Sequence, residues 1–170
     1  RLLEVGGDLT AHANNGHVTV TIDVNADKID LASEHLNVLT NDKAVLTAKE
    51  YKFKSNGYIG AISDYTDPNG NVLKTEDQII DLMENYIYIP KDIKSHAYTQ
   101  IAGGKITKIE TPKDAQVYIG SQGDVVLTGA DAGDINLTAY RKRIDIQGPN
   151  VHAKNINVGP ETDYLKVEYN

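Results

Sequence analysis

Residues 123–132 read GDVVLTGADA, and residues 133–142 read GDINLTAYRK. Gly, Asp, Leu and Thr return ten positions apart, and an apolar residue follows each Asp (Val125, Ile135). The rest of the C-terminal third keeps this beat. Apolar–polar–apolar triplets begin at Val125, Ile135, Ile144, Ile156 and Leu165, and alternate members lie 19 (125 to 144), 21 (135 to 156) and 21 (144 to 165) residues apart. Alternation of period two places the outer members of a triplet on one face of a strand and the middle one on the other. Gly129, Gly133, Gly148-Pro149 and Gly159-Pro160 stand between the triplets as turn signals. A return near twenty residues, with a half-step near ten, predicts a solenoid whose strands Val125–Leu127 and Ile135–Leu137 are successive sides of one coil. Val125, Leu127, Ile135 and Leu137 then face inward, and Gly and Asp form the corners.

Working outward, earlier triplets (Ile22-Asp23-Val24, Ile29-Asp30-Leu31, Leu36-Asn37-Val38) extend a looser version of the rhythm over residues 5–60. Asp or Asn usually fills the middle place, although both are poor strand formers, which implies an outward position. Composition agrees. The 170 residues contain one Phe, one Met, no Trp and ten Tyr, so the core must be thin and built from Val, Ile, Leu and Ala. The expected fold is all-β, a parallel β-helix of about 20 residues per turn in one domain over 1–170. The alternative is an antiparallel β-sandwich or jelly roll.

The middle departs from the pattern. Asp67-Pro68-Asn69-Gly70 is a turn signal, Thr75-Glu76-Asp77-Gln78 has the form of a capping box, and Ile79, Ile80, Leu82 and Met83 follow it. These residues predict one inserted helix near 75–85, then a short edge strand ending at Pro90. Residues 64–100 are read as an insertion, or as the element that covers an open solenoid edge.

Chemistry is sparse. A net charge of −7 disfavours nucleic acid, no apolar run reaches membrane-spanning length, and there is no Cys. No serine lies in a nucleophile elbow, and no two of the five histidines have the spacing of a zinc pair. Around Gly70, the residues Asp64, Asp67, Asn69 and Asn71 superficially suit Ca2+. A glycine in the sixth loop position, however, puts Tyr65 where the first acidic ligand belongs. Ca2+ is therefore not favoured, and no cofactor is expected.

The candidate partner-binding surface is Tyr65, Tyr86, Tyr88, Tyr98, Arg141 and Arg143. The tyrosines offer flat faces with polar tips, and the arginines belong to the single basic cluster, Arg141-Lys142-Arg143. Packing of the insertion onto the solenoid is the competing use of the tyrosines, and solvation of a corner that of the arginines.

Three phrases resemble the repeats of filamentous-haemagglutinin-like adhesins, secreted by two-partner and autotransporter routes. They are Gly7-Asp8-Leu9-Thr10-Ala11, Gly123-Asp124-Val125-Val126-Leu127-Thr128 and Gly133-Asp134-Ile135-Asn136-Leu137-Thr138-Ala139. The resemblance covers residues 5–60 and 117–168. It implies a right-handed parallel β-helix, and a bacterial, extracellular, non-enzymatic surface segment acting in adhesion or as a stalk. Its partners would be a host or neighbouring-cell glycan or protein, or copies of itself. Rival readings are a pilus-like filament subunit using strand complementation, a β-helix enzyme acting on polysaccharide, and a trimeric phage tail-fibre module.

Overall fold

The computed structural model describes residues 1–62, 65–66, 72–73 and 98–169. The chain is an all-β, parallel β-solenoid of about six turns with about 21 residues per turn. The first coil comprises β1 (Leu2–Glu4), β2 (Leu9–Ala13) and β3 (Val18–Val20). The second comprises β4 (Asp23–Asn25), β5 (Lys28–Ser33) and β6 (Val38–Asn41), and the third β7 (Val45–Thr47), β8 (Glu50–Lys54) and β9 (Ile59–Ile62). A two-residue antiparallel pair, β10 (Tyr65–Thr66) with β11 (Val72–Leu73), lies in the segment that follows. The coils resume with β12 (Thr99–Ile101), β13 (Gly104–Glu110), β14 (Gln116–Ser121) and β15 (Val125–Leu127). They continue through β16 (Ala130–Ala139), β17 (Arg143–Gly148), β18 (Val151–Val158) and β19 (Tyr164–Tyr169).

Each strand of the coils pairs in parallel with its counterpart one coil away, which excludes the antiparallel sandwich or jelly roll. The sequence intervals are the registers. Val125 pairs with Ile144, Ile135 with Ile156, and Ile144 with Leu165. The doubled phrase is thus two sides of one coil. A single inward column runs the length of the molecule on the second face: Leu9, Ile29, Tyr51, Ile106, Leu127, Ile146 and Val167. Five of its members (Ile29, Tyr51, Ile106, Leu127, Ile146) are buried. Such stacking removes apolar area at about 25 cal/mol per Å² and leaves each coil dependent on its neighbours.

The core is mainly Ile, Val, Leu and Ala, with the rings of Tyr51 and Phe53 among them, stacked at 6.1 Å. Both lie on β8 and are fully buried. Two sequence neighbours of Tyr51 explain how a tyrosine fits there. Its hydroxyl accepts from the Ala48 amide (2.9 Å) and shares its proton between the carbonyls of Leu46 (3.0 Å) and Gly103 (2.9 Å).

Glycines of the doubled phrase answer to close approach between coils. A Cβ on Gly123 would strike the Ala102 carbonyl, and one on Gly133 the carbonyls of Ala115, Lys113 and Pro112. Gly133 lies within β16, which runs unbroken from Ala130 to Ala139 instead of stopping at a corner there.

The long insertion interrupts the solenoid between coils without disturbing it. Asn41 pairs with Ile62, and Val45 pairs with Gln100, so the chain leaves after β9 and returns on β12 with the register intact. It departs and re-enters in the middle of the stack, because β9 also pairs with β14 and β12 also with β14. The helix expected at 75–85 and the edge strand ending at Pro90 lie outside the described residues, which contain no helix.

Candidate interaction surface

Outward residues at and beside the middle of the triplets bond from coil to coil. Asp134 accepts from Gln116 Nε2 and from Asn155 Nδ2, each at 2.7 Å. Asn157 donates to Asn136 Oδ1 (3.1 Å), and Asn136 donates to the Val117 carbonyl (3.1 Å). These bonds form a ladder on the face shared by β14, β16 and β18. The donated hydrogen bonds, that from Asn155 foremost and then that from Gln116, hold the Asp134 carboxyl below the usual carboxylate range. At corners the same residue types cap the next coil's backbone: Asp23 accepts from Val45 N (2.8 Å), Asn37 from Tyr58 N (2.9 Å) and Asp124 from Arg143 N (3.0 Å). Asn37 is therefore buried, against the outward place given it by the triplet Leu36-Asn37-Val38. Its carbonyl oxygen is needed inside, at the bend.

Next to the ladder is a tyrosine cluster at the root of the insertion. Tyr98 packs edge-on against Tyr118 at 5.4 Å, and Tyr58 tilts against Tyr118 at 5.8 Å. Tyr118 donates to Gln116 Oε1 (3.2 Å), which joins the cluster to the amide ladder. Gln100 donates to the Tyr140 hydroxyl (3.1 Å). Small residues make room for these rings: a Cβ on Gly60 would strike the ring of Tyr58, and one on Gly120 the hydroxyl of Tyr140. Burial pushes the Tyr118 phenol up to about 12 and raises Tyr98 as well. Tyr58 and Tyr118 are buried, whereas Tyr98 and Tyr140 are half-buried.

Of the six residues chosen from the sequence, Tyr98 belongs to this cluster. Arg141 follows Tyr140 directly and is exposed, in a left-handed conformation with φ 57°. Arg143 lies across the corner, where its guanidinium covers the ring of Tyr164 at 4.6 Å, a cation–π contact that commits it within the chain. Tyr65 is on β10, and Tyr86 and Tyr88 lie outside the described residues, as do the four residues considered for Ca2+. Tyr118 and Tyr140 were not among the six. The signal for Tyr118 was the coil interval, since it lies 20 positions after Tyr98, whereas Tyr140 carried none, because Tyr118 pairs with Asn136.

A concave region elsewhere, of about 400 Å³, is lined by Ser33, Glu34, Lys54, Ser55, Asn56, Glu110, Thr111, Pro112 and Asp131. Its charges are matched internally. Lys54 Nζ bridges Glu34 (2.9 Å) and Glu110 (3.5 Å), and Lys113 reaches Asp131 (2.9 Å). The hydrogen bonds from the lysines hold the Glu34 and Asp131 carboxyls low. Among the described residues no group of three or more His, Cys, Asp or Glu is placed to hold a metal ion, and no helix is long and apolar enough to cross a membrane.

No protein-family model, curated protein or solved structure matches this chain.

Proposed function

We propose that this chain is a non-enzymatic segment of an extracellular, adhesin-like surface protein. The solenoid serves as a stiff support, and the outer strip of tyrosines and amides, with the insertion rooted beside it, meets a glycan or protein on another surface. The observation that carries this reading is the continuity of the strip. From half-buried Tyr98, propped on the buried ring of Tyr118, through Gln116, Asp134 and Asn136 to the exposed Asn155 and Asn157, it offers an aromatic ring and then polar side chains across four coils. Flat rings beside paired amide donors and acceptors suit the apolar faces and hydroxyls of sugars. The resemblance of the GD-L-T phrases to adhesin repeats supports the same role.

A deletion tests it. Removing residues 63–96 leaves three residues between Ile62 and Gln100, the number that joins Asn41 to Val45 in the coil before. The shortened chain should keep a parallel-β circular dichroism spectrum and a cooperative unfolding transition. It should lose binding to immobilised cell-surface glycans or to whole cells, as should Asn155→Ala/Asn157→Ala to a lesser degree. Undiminished binding in both variants, or turnover of a polysaccharide by the parent chain, would overturn the reading.

A further inference from the structure

We infer that the basic corner Arg141-Lys142-Arg143 is a subsite for a carboxylated sugar, joined through Tyr140 to the outer strip. This deepens the adhesin-like reading and rests on it. The corner lies inside the stack. Tyr140 N donates to the Ser121 carbonyl of the coil before (2.9 Å), and Arg141 N donates to the Glu161 carbonyl of the coil after (2.9 Å), so coils adjoin it on both sides. Its outward side chains stay free between them: Arg141, Lys142 and Arg143 are all exposed.

The backbone marks Arg141 first. It is the one non-glycine residue with a left-handed φ (57°) among the described residues. Glycine meets that conformation without strain, and a long side chain there carries a backbone cost. An arginine held in such a place is held for its guanidinium. The charges mark the corner next. Among the described residues none of the three cations has an ion-pair partner, although Asp124, Glu161 and Asp163 stand on the same and adjoining corners. By contrast Lys28, Lys54, Lys108, Lys113 and Lys166 all reach carboxylates. On a chain of net charge −7, three consecutive unpaired cations make a compact positive spot.

Aromatic rings adjoin that spot. Gln100 Nε2 donates to the Tyr98 carbonyl (3.2 Å) and to the Tyr140 hydroxyl (3.1 Å), which ties the Tyr98 end of the strip to Tyr140. Half-buried Tyr140 directly precedes Arg141. Beyond it, Arg143 is fixed by Asp124, which accepts from its backbone N–H (3.0 Å), and by the Tyr164 ring under its guanidinium (4.6 Å). A pyranose that carries a carboxylate matches this order. Its apolar face suits a tyrosine ring, and its planar carboxylate takes two parallel N–H donors from Arg141. Lys142 adds a point charge, and Arg143, its face already taken, strengthens the field. One compact cluster fits one charge per sugar. A densely sulfated chain would press its further charges against Asp124, Glu161 and Asp163.

Surface plasmon resonance of the 170-residue chain on sialyllactose and polygalacturonate, with lactose and heparin for comparison, tests this. At least one carboxylated probe should bind about tenfold tighter than lactose and no more weakly than heparin, and its binding should fall as salt is raised. Arg141→Gly should weaken that binding about tenfold while thermal stability holds or rises, because glycine relieves the left-handed residue. Adding Lys142→Ala should remove the rest. Lys52→Ala with Lys105→Ala makes the same change in net charge at exposed positions of β8 and β13, and should leave binding intact. Lactose bound as tightly as both carboxylated probes, heparin bound more tightly than either, unchanged binding in Arg141→Gly, or an equal loss in the β8/β13 variant would overturn the inference. Glycan or cell binding with no advantage for a carboxylated sugar would leave the adhesin-like reading standing, whereas binding to no glycan and no cell would remove both.

Discussion

Tyr51 shows how much a single buried hydroxyl organises in so thin a core. It bonds three backbone groups, on Leu46, Ala48 and Gly103, that belong to two coils. Tyr51→Phe keeps the ring and its stack on Phe53 but strands those groups. Chemical denaturation should register a loss of about 1–3 kcal/mol. Burial also pushes the Tyr51 phenol up to about 12. A phenol raised in the folded state leaves stability level below its ordinary value near pH 10, and stability then falls as the pH climbs from about 10 to 12, because the unfolded chain gives up the proton first. Denaturation midpoints should therefore be flat from pH 8 to about 10 and drop beyond it, with a shallower drop in Tyr118→Phe. An equal slope in that variant would show that Tyr118 is not part of the effect. Gly133 sets a steric limit of another kind. Its hydrogen faces three carbonyl oxygens of rigid backbone, so Gly133→Ala should cost about 1–3 kcal/mol although alanine is the better strand residue.

At the scale of strands and ladders, the amide row on β14, β16 and β18 makes a pH prediction of opposite sign. The Asp134 carboxyl is held low by Asn155 and Gln116, so its contribution is present at neutral pH and is lost as the pH falls through and below the ordinary carboxylate range near 4. Asp134→Asn turns an amide toward two donors. It should lower stability at pH 7 and flatten the dependence between pH 5 and 3, as read by urea titration. This row also marks how far the sequence could be read. Val125, Ile135 and Ile144 announced their partners directly, because a strand buried on one face selects apolar residues at a fixed interval. Asn37 did not, since its burial depends on a bend that alternation cannot reveal. The tyrosine cluster was half legible. Tyr98 stood out for its neighbourhood, Tyr118 becomes visible one coil interval beyond it, and Tyr140 had no periodic signal, since the residue paired with Tyr118 is Asn136. Tyr58 is displaced from that interval by the insertion, and only the pairing of Ile59 with Val117 brings it beside Tyr118.

For the molecule as a whole, coils that touch only their neighbours predict graded local stability. Amide exchange should be slowest in β8, β13 and β14, covered on both sides, and fastest in β1 and β19. Protection that is uniform from end to end would contradict this. The resumption of β12 on β7 after the insertion keeps the hydrogen-bond ladder continuous through the middle, and this has a mechanical consequence. All inter-strand bonds point along the solenoid axis, so tension applied at the two ends meets them one coil at a time, in the manner of a zipper, and each step releases about 21 residues of chain. The length freed by a pulled coil then absorbs work while the remaining coils hold. A segment between two moving surfaces would yield gradually under load.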